Sequence, residues 1–455
     1  MSTTPRTPPT PPTPATPATP ATPATPPTPA TPPTPRATGQ RPGERMPSFW
    51  VLIGALIGLH ASMAAGRVAA SLYLLQHGHP EWMVGVLLSL YAVAPIGLSL
   101  WAGRLADRHG LHRPMGVAVL MALLGAGVML ASQHLAALAL GALLTGGALS
   151  VGAVGIQREA GQLADAPAQL KRVFAWVALG PALSNALSPV LAGLLIDHVG
   201  YRAAFGFALA MPALAWALTL RLPRRSAAHA EAARQAARDR RPDAWGLLRL
   251  PALRSLLLLN VVLAACWDAH MFAVPVVGHA RGLSASGIGL VLGAFAAAAT
   301  VVRLAISAFG ARLEERAMLR AAMVLATAVL AAYAWLPGAA GMATGSALLG
   351  LALGAVQPTI LALLHQVTPR ERHGEALGVR MLCTNAATLS MPAGFGLLAG
   401  ATAAAAPMWL MAALLLLSFP TLQRLSAGLP AEHGLTDAGP DPDPGDGSPG
   451  AAGKP

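Results

Sequence analysis

Ionisable side chains stand inside long apolar stretches of the sequence, chief among them Arg67, Asp268, His270, Arg303 and Arg380. An ionised group is costly in hydrocarbon, so one kept there marks an ion or substrate path, a proton relay or a buried pair. Asp268 is the carboxylate placed deepest in such a stretch. Burial pushes a carboxyl group toward its neutral form, and an arginine neighbour pulls it back toward the charged form. A group balanced between the two can gain and lose a proton as its surroundings alternate. Asp268 is therefore read as a proton-exchanging group tuned by Arg67 and His270. The plainer alternative is a static Arg67–Asp268 pair that joins two helices. Arg303 and Arg380 suit an anionic ligand if they line a wet cavity, and snorkel to the interface if they do not. Asn185, Asn260, Gln357 and Asn385 are uncharged polar groups in the same kind of setting, read as cavity lining or as bonds between helices. His60 is read as a satisfied core histidine.

The elements that must hold these residues follow from composition. Of 455 residues, 54% are hydrophobic and 11% charged, against about 25% charged in a soluble domain. Twelve apolar runs follow Ser48, near 48–76, 81–102, 114–132, 135–157, 172–196, 203–222, 252–277, 284–309, 319–337, 339–365, 375–399 and 406–423. Each is long enough to cross a bilayer as a helix. The fold expected is all-α and integral to the membrane. Six helices occupy 46–222 and six occupy 252–424, joined by a basic linker, 223–251. Residues 1–45 are a Pro/Thr/Ala tail and 425–455 a Pro/Gly/Asp tail, neither of which can build a packed core.

The formal net charge is +12, and its placement orients the chain. Arg104, Arg108, Arg113, Arg158, Lys171, Arg172, the linker arginines, Arg312, Arg316, Arg370 and Arg372 all fall on one side, against Arg202 and Arg281 on the other. The positive-inside rule puts both termini in the cytoplasm of a multi-pass protein of the cell inner membrane. Scattering of the basic residues through loops argues against nucleic acid as a partner.

The halves echo one another. Val84-Gly85-Val86-Leu87-Leu88 returns as Ile288-Gly289-Leu290-Val291-Leu292 after 204 residues, and Pro189, Gly193, Leu194 and Leu195 return as Pro392, Gly396, Leu397 and Leu398 after 203. Duplicated bundles place a ligand site at their interface, near the membrane midplane. Between the second and third runs lies a charged turn holding Gly103, Leu105, Ala106, Asp107, Arg108, Gly110 and Arg113, blurred in the second half as Arg312-Leu313-Glu314-Glu315-Arg316.

This turn resembles the signature loop of the major facilitator superfamily, and the twelve-run, six-plus-six pattern around it is similar to that family over about 48–424. The resemblance implies a secondary transporter working by alternating access. Gly103, Asp107, Arg108, Gly110 and Arg113 would then form a conformational latch between the halves. A second mark is eroded: Gly180-Pro181 in the fifth run is similar to the antiporter motif of the family, but Ser184 and Asn185 replace the glycines that should follow. The function expected is proton-coupled efflux of a small organic molecule, with uptake of an organic anion or a non-transporting sensor as alternatives. The expected partners are the small-molecule substrate, protons and the lipid bilayer, and the expected state is a monomer.

No phosphate-binding glycine loop or nucleophile motif is present in the sequence, so an enzyme is not expected. Neither a cofactor nor a metal is expected; Cys266 and Cys383 lack ligand spacing, and His77 and His79 flank a single glycine. Because the full latch motif stands only in the first half, Asp107→Ala should slow substrate flux in proteoliposomes far more than Glu315→Ala. Equal losses would show that the first loop is not the dominant latch.

Overall fold

A bilayer offers no water to backbone amides, so each spanning segment must satisfy its own hydrogen bonds, and a helix does this within one segment. The computed structural model of the protein describes residues 42–161, 167–222, 246, 248–309, 314–368 and 372–427. These form α1 (Pro42–Gln76), α2 (Glu81–His109), α3 (His112–Ala131), α4 (Leu135–Gly161), α5 (Pro167–His198) and α6 (Tyr201–Thr219) in the first half. The second half holds α7 (Pro251–Ala280), α8 (Ala285–Phe309), α9 (Glu315–Ala332), α10 (Gly338–Val367), α11 (His373–Ala401) and α12 (Ala406–Ala427). All twelve are long and apolar enough to span a membrane. The tails and most of the linker lie outside the described residues, as do residues 310–313, which include Arg312 and Leu313 of the degraded twin of the signature turn; its Glu314 precedes α9 and its Glu315 and Arg316 begin that helix.

Packing repeats with a shift of six helices. In the first half α1 packs on α4, α5 and α6, and α2 on α4; in the second α7 packs on α10, α11 and α12, and α8 on α10. Trp50, Trp82, Trp101, Trp335 and Trp409 are all exposed near helix ends, where amphipathic rings anchor at the interface.

The signature turn differs from expectation in shape. Gly103 to His109 continue α2, and the reversal is confined to Gly110 and Leu111. Nothing before Gly110 breaks the helix, so it runs on past its apolar part. Gly110 has φ +68°, a left-handed geometry that favours glycine, and its N–H closes the helix on the Ala106 carbonyl. A side chain on Gly103 would meet nothing within 4 Å. The Asp107 and Arg108 side chains lie outside the described residues.

Contact between the halves is made mainly by α5 on α8 and α2 on α11, with smaller contacts of α1 and α2 on α7. The crossings use the repeated residues. A Cβ on Gly289 would collide with the Pro189 carbonyl, and one on its counterpart Gly85 with the Pro392 carbonyl. Only glycine lets these backbones approach so closely. Beyond the α5–α8 crossing, Asp197 caps the start of α8: the Ala285 and Ser286 amides donate to its two carboxylate oxygens at 3.0 and 2.7 Å. A carboxylate at a helix N-terminus meets free N–H groups and the positive end of the dipole. At the other crossing the Ala393 amide donates to Ser89 Oγ at 3.1 Å.

These contacts lie in the last part of α5 and α11 and the first part of α2 and α8, so they join the halves at the end bearing the 77–80, 199–200 and 281–284 turns. Gly289→Leu should hold that end apart. With Asn185→Cys in a background lacking Cys266 and Cys383, labelling by an impermeant maleimide applied from that side should rise severalfold. Unchanged labelling would mean the crossing does not seal this end.

Candidate functional site: a central polar cavity

On the other side of the crossings the helices diverge around a cavity of about 380 Å³. It is lined from α7 by Asn260, Trp267 and Asp268, from α8 by Thr300 and Arg303, and from α11 by Arg380, Thr384, Asn385 and Thr388. Pro181 and Asn185 of α5, Gln357 of α10 and His60 of α1 complete the polar and kinked part of the wall. The α11 residues show why one helix can supply so much: Arg380, Thr384 and Thr388 recur every four residues and share a face.

Asp268 is 6% exposed and sits at the inner end of the cavity. The Thr388 hydroxyl lies within hydrogen-bonding reach of its carboxylate. Arg67 of α1 interacts with it electrostatically from the other half, and Tyr91 of α2 is close to Arg67. No hydrogen bond joins Arg67 Nε to Asp268 Oδ2: both are buried without a partner among the described residues. Tyr91 Oη is likewise unpartnered, while the nearby Thr145 hydroxyl donates to the Gly141 carbonyl at 2.7 Å. Arg67 thus stands behind Asp268 and does not line the cavity.

Arg303 and Arg380 do line it. Arg303 Nε donates to the Gly354 carbonyl at 3.3 Å, and its guanidinium lies 5.7 Å from the centre of the Trp267 ring. The small residues Gly350 and Gly354 let α10 pack against Phe295 and Ala299 of α8, which brings that carbonyl within reach. Arg380 Nε is buried with no partner among the described residues. The Asn260 amide donates to Thr384 Oγ1 at 2.9 Å, and Thr384 donates onward to the Arg380 carbonyl at 3.0 Å, tying α7 to α11 beside that arginine. Among the described residues lining the cavity, Asp268 is the one carboxylate against two guanidinium groups.

Two histidines are placed otherwise than the sequence suggested. His270 is fully buried away from the cavity, stacked on Phe295 at 4.2 Å. Its Nε2 is 2.8 Å from Ser346 Oγ, which is 2.6 Å from Tyr333 Oη, and Tyr333 donates to the Met342 carbonyl at 3.3 Å. With Nε2 protonated each hydroxyl in the run donates onward, while His270 Nδ1 is buried with no partner among the described residues. The geometry therefore does not bring His270 to Asp268. His60, by contrast, lines the cavity; its Nδ1, like that of His270, is buried and unpartnered among the described residues. Trp267, Thr384 and Thr388 were not singled out by sequence, although the four-residue polar spacing on α11 was a usable signal.

Gly180 and Pro181 stand in an unbroken α5, where Ser184 Oγ donates to the Gly180 carbonyl at 3.0 Å and the Ile57 carbonyl of α1 at 3.2 Å. His77 is occupied locally, with Nδ1 2.8 Å from the Tyr73 carbonyl and its ring stacked on Tyr73. Among the described residues no group of three or more histidine, cysteine, aspartate or glutamate side chains is placed to hold a metal ion.

Two similar bundles of six helices around one polar cavity, closed at one end, define a membrane carrier. The sequence profile of the major facilitator superfamily matches residues 50–345 and 256–438, and the chain belongs to that superfamily as a transporter. Among solved structures, the nucleoside transporter NupG aligns with a TM-score of 0.69 at 13% identity, over 83% of this chain and 99% of that one. A bacterial homologue of the human lysosomal transporter Spinster aligns at 0.67 and 12% identity, over 86% and 98%. The human organic anion transporter MFSD10 aligns at 0.57 and 18% identity, over 84% and 100%. At such identities the likeness concerns the fold. No curated protein matches the sequence.

Ser346→Ala would leave His270 Nε2 unpaired in the core, while Tyr333 Oη would keep only its bond to the Met342 carbonyl. A loss of about 1–3 kcal/mol is expected, read as a lower denaturation temperature with flux per folded molecule unchanged. Loss of coupling to a pH gradient at unchanged stability would instead give His270 a role in proton transfer.

Proposed function

We propose that this protein carries small organic anions together with protons, with Asp268 as the coupling group and Arg303 and Arg380 as the anion-binding groups. The observation that carries the reading is the charge of the cavity wall: two guanidinium groups, one with an unpartnered buried Nε, face a single carboxylate. Guanidinium groups recognise carboxylate and phosphate through paired hydrogen bonds. Asn185, Asn260, Gln357, Thr384 and Asn385 offer the uncharged donors and acceptors that orient a polar ligand.

The sign of the coupling follows from the same count. With Asp268 ionised the cavity carries one net positive charge, and with Asp268 protonated it carries two. Proton binding therefore strengthens anion binding, and the two are expected to move together. Arg67 behind the carboxylate is a positive charge that stays in place when the proton and the anion leave. Efflux by proton antiport, the direction suggested by Gly180-Pro181, needs a substrate that competes with the proton for Asp268. A cationic substrate would compete in that way, but it would have to sit beside two arginines. We place both termini in the cytoplasm and the monomer in the inner membrane, on the arginine distribution. The sealed end then faces outward and the cavity inward.

The test is flux of a panel of organic anions and cations in proteoliposomes under an imposed pH gradient, read in both directions. Inward proton flow should drive anions inward. Asp268→Asn should keep anion binding and lose the response to the gradient. Arg380→Gln should weaken anion binding by about ten- to a hundredfold, the worth of a hydrogen bond to a charged group. Cation flux opposite to protons, unaffected by Arg380→Gln, would overturn the reading.

A further inference from the structure

A second hollow, of about 590 Å³, opens between α1, α5 and α8 on the lipid-facing side of the bundle. It runs from Trp50 and Trp176 to Ala186 and Leu187, about 16 Å along α5 at 1.5 Å per residue. Trp50 and Trp176 meet edge to face at 5.2 Å at its mouth, and both are exposed. Its far end is closed where Gly293 of α8 packs against Ala186 of α5. Its walls are apolar except for Thr300, whose hydroxyl is already spent on the Ala296 carbonyl at 2.7 Å.

Two residues, Ala182 and Thr300, line both this groove and the central cavity. The groove is thus separated from the polar site by a single layer of side chains. Thr300 also lies one helical turn from Arg303, so an anionic head held by Arg303 has the groove beside it. We infer that the groove receives the apolar tail of the transported anion, and that the substrate is an amphiphile: an anionic head in the cavity and an alkyl or aryl tail passing between α5 and α8. This rests on the anion reading above. Charge and apolar surface are arranged for such a molecule, with cations inside, an uncharged channel beside them and aromatic rings where the channel meets the membrane surface. A bulk phospholipid could fill the groove with a chain, but its head group would stay at the membrane surface, away from Arg303.

The probes are linear alkyl sulfonates of two to ten carbons, which stay charged. Binding to the full chain in nanodiscs is referred to free aqueous concentration and corrected with protein-free nanodiscs. Affinity should rise by roughly fourfold per methylene, as expected for leaving water, and level off once the groove is full. Ala297→Trp and Leu183→Trp place bulk in the groove from opposite walls, at exposed positions where folding is not at stake. Each should flatten the series while leaving ethanesulfonate within about twofold. Leu120→Trp, on the exposed face of α3, should leave the whole series unchanged. A flat series in the unmodified protein, or one that survives both groove variants, overturns the inference and leaves the groove to bilayer lipid. Ethanesulfonate binding that is absent or indifferent to Arg380→Gln overturns the anion reading itself.

Discussion

Backbone-to-backbone contact at the α5–α8 and α2–α11 crossings is the constraint on which the rest of the structure depends. Gly289 and Gly85 allow it by having no side chain to interpose, and the Asp197 carboxylate fastens one of the two by holding the first amides of α8. Helices that touch at one end and are inclined to one another must part at the other. The cavity is what that parting leaves. Its polar lining is tolerable because the groups face each other and water, while the outer faces carry exposed leucines such as Leu187 and Leu417.

The crossings also explain the arrangement of charge along the carrier. Asp268, Arg303 and Arg380 all line the cavity, and Arg67 acts on Asp268 from the first half without lining it. A rocking motion that opened the sealed end would change the surroundings of Asp268, because the group acting on it from the first half, Arg67, would move relative to it. That is the physical basis for assigning coupling to this residue rather than to His270, whose bonds all stay within the second half.

Much of the architecture was legible because the bilayer leaves little freedom. The twelve apolar runs become α1 to α12, with ends displaced mainly where charged turns extend a helix, as at Gly103–His109. The short echoes between halves were legible too, and the structure gives them a meaning beyond duplication: Gly85, Pro189, Gly289 and Pro392 are the residues that meet at the crossings. The candidate site was legible in part. Asp268, Arg303, Arg380, Asn185, Asn260, Gln357 and Asn385 do come together around one cavity, but Arg67 and His270 stand outside the lining.

The sequence by itself determined the helices, their number, their pairing into halves and the presence of costly intramembrane charge, because each of these is set by local composition against a solvent of fixed thickness. Tertiary structure decided which side of each helix looks inward. His60 and His270 illustrate the difference. Both are single histidines in apolar helices, yet the first lines the cavity and the second is locked to Ser346. Rotation about a helix axis is fixed by the partners it packs against, and those partners lie on other helices, far away along the chain.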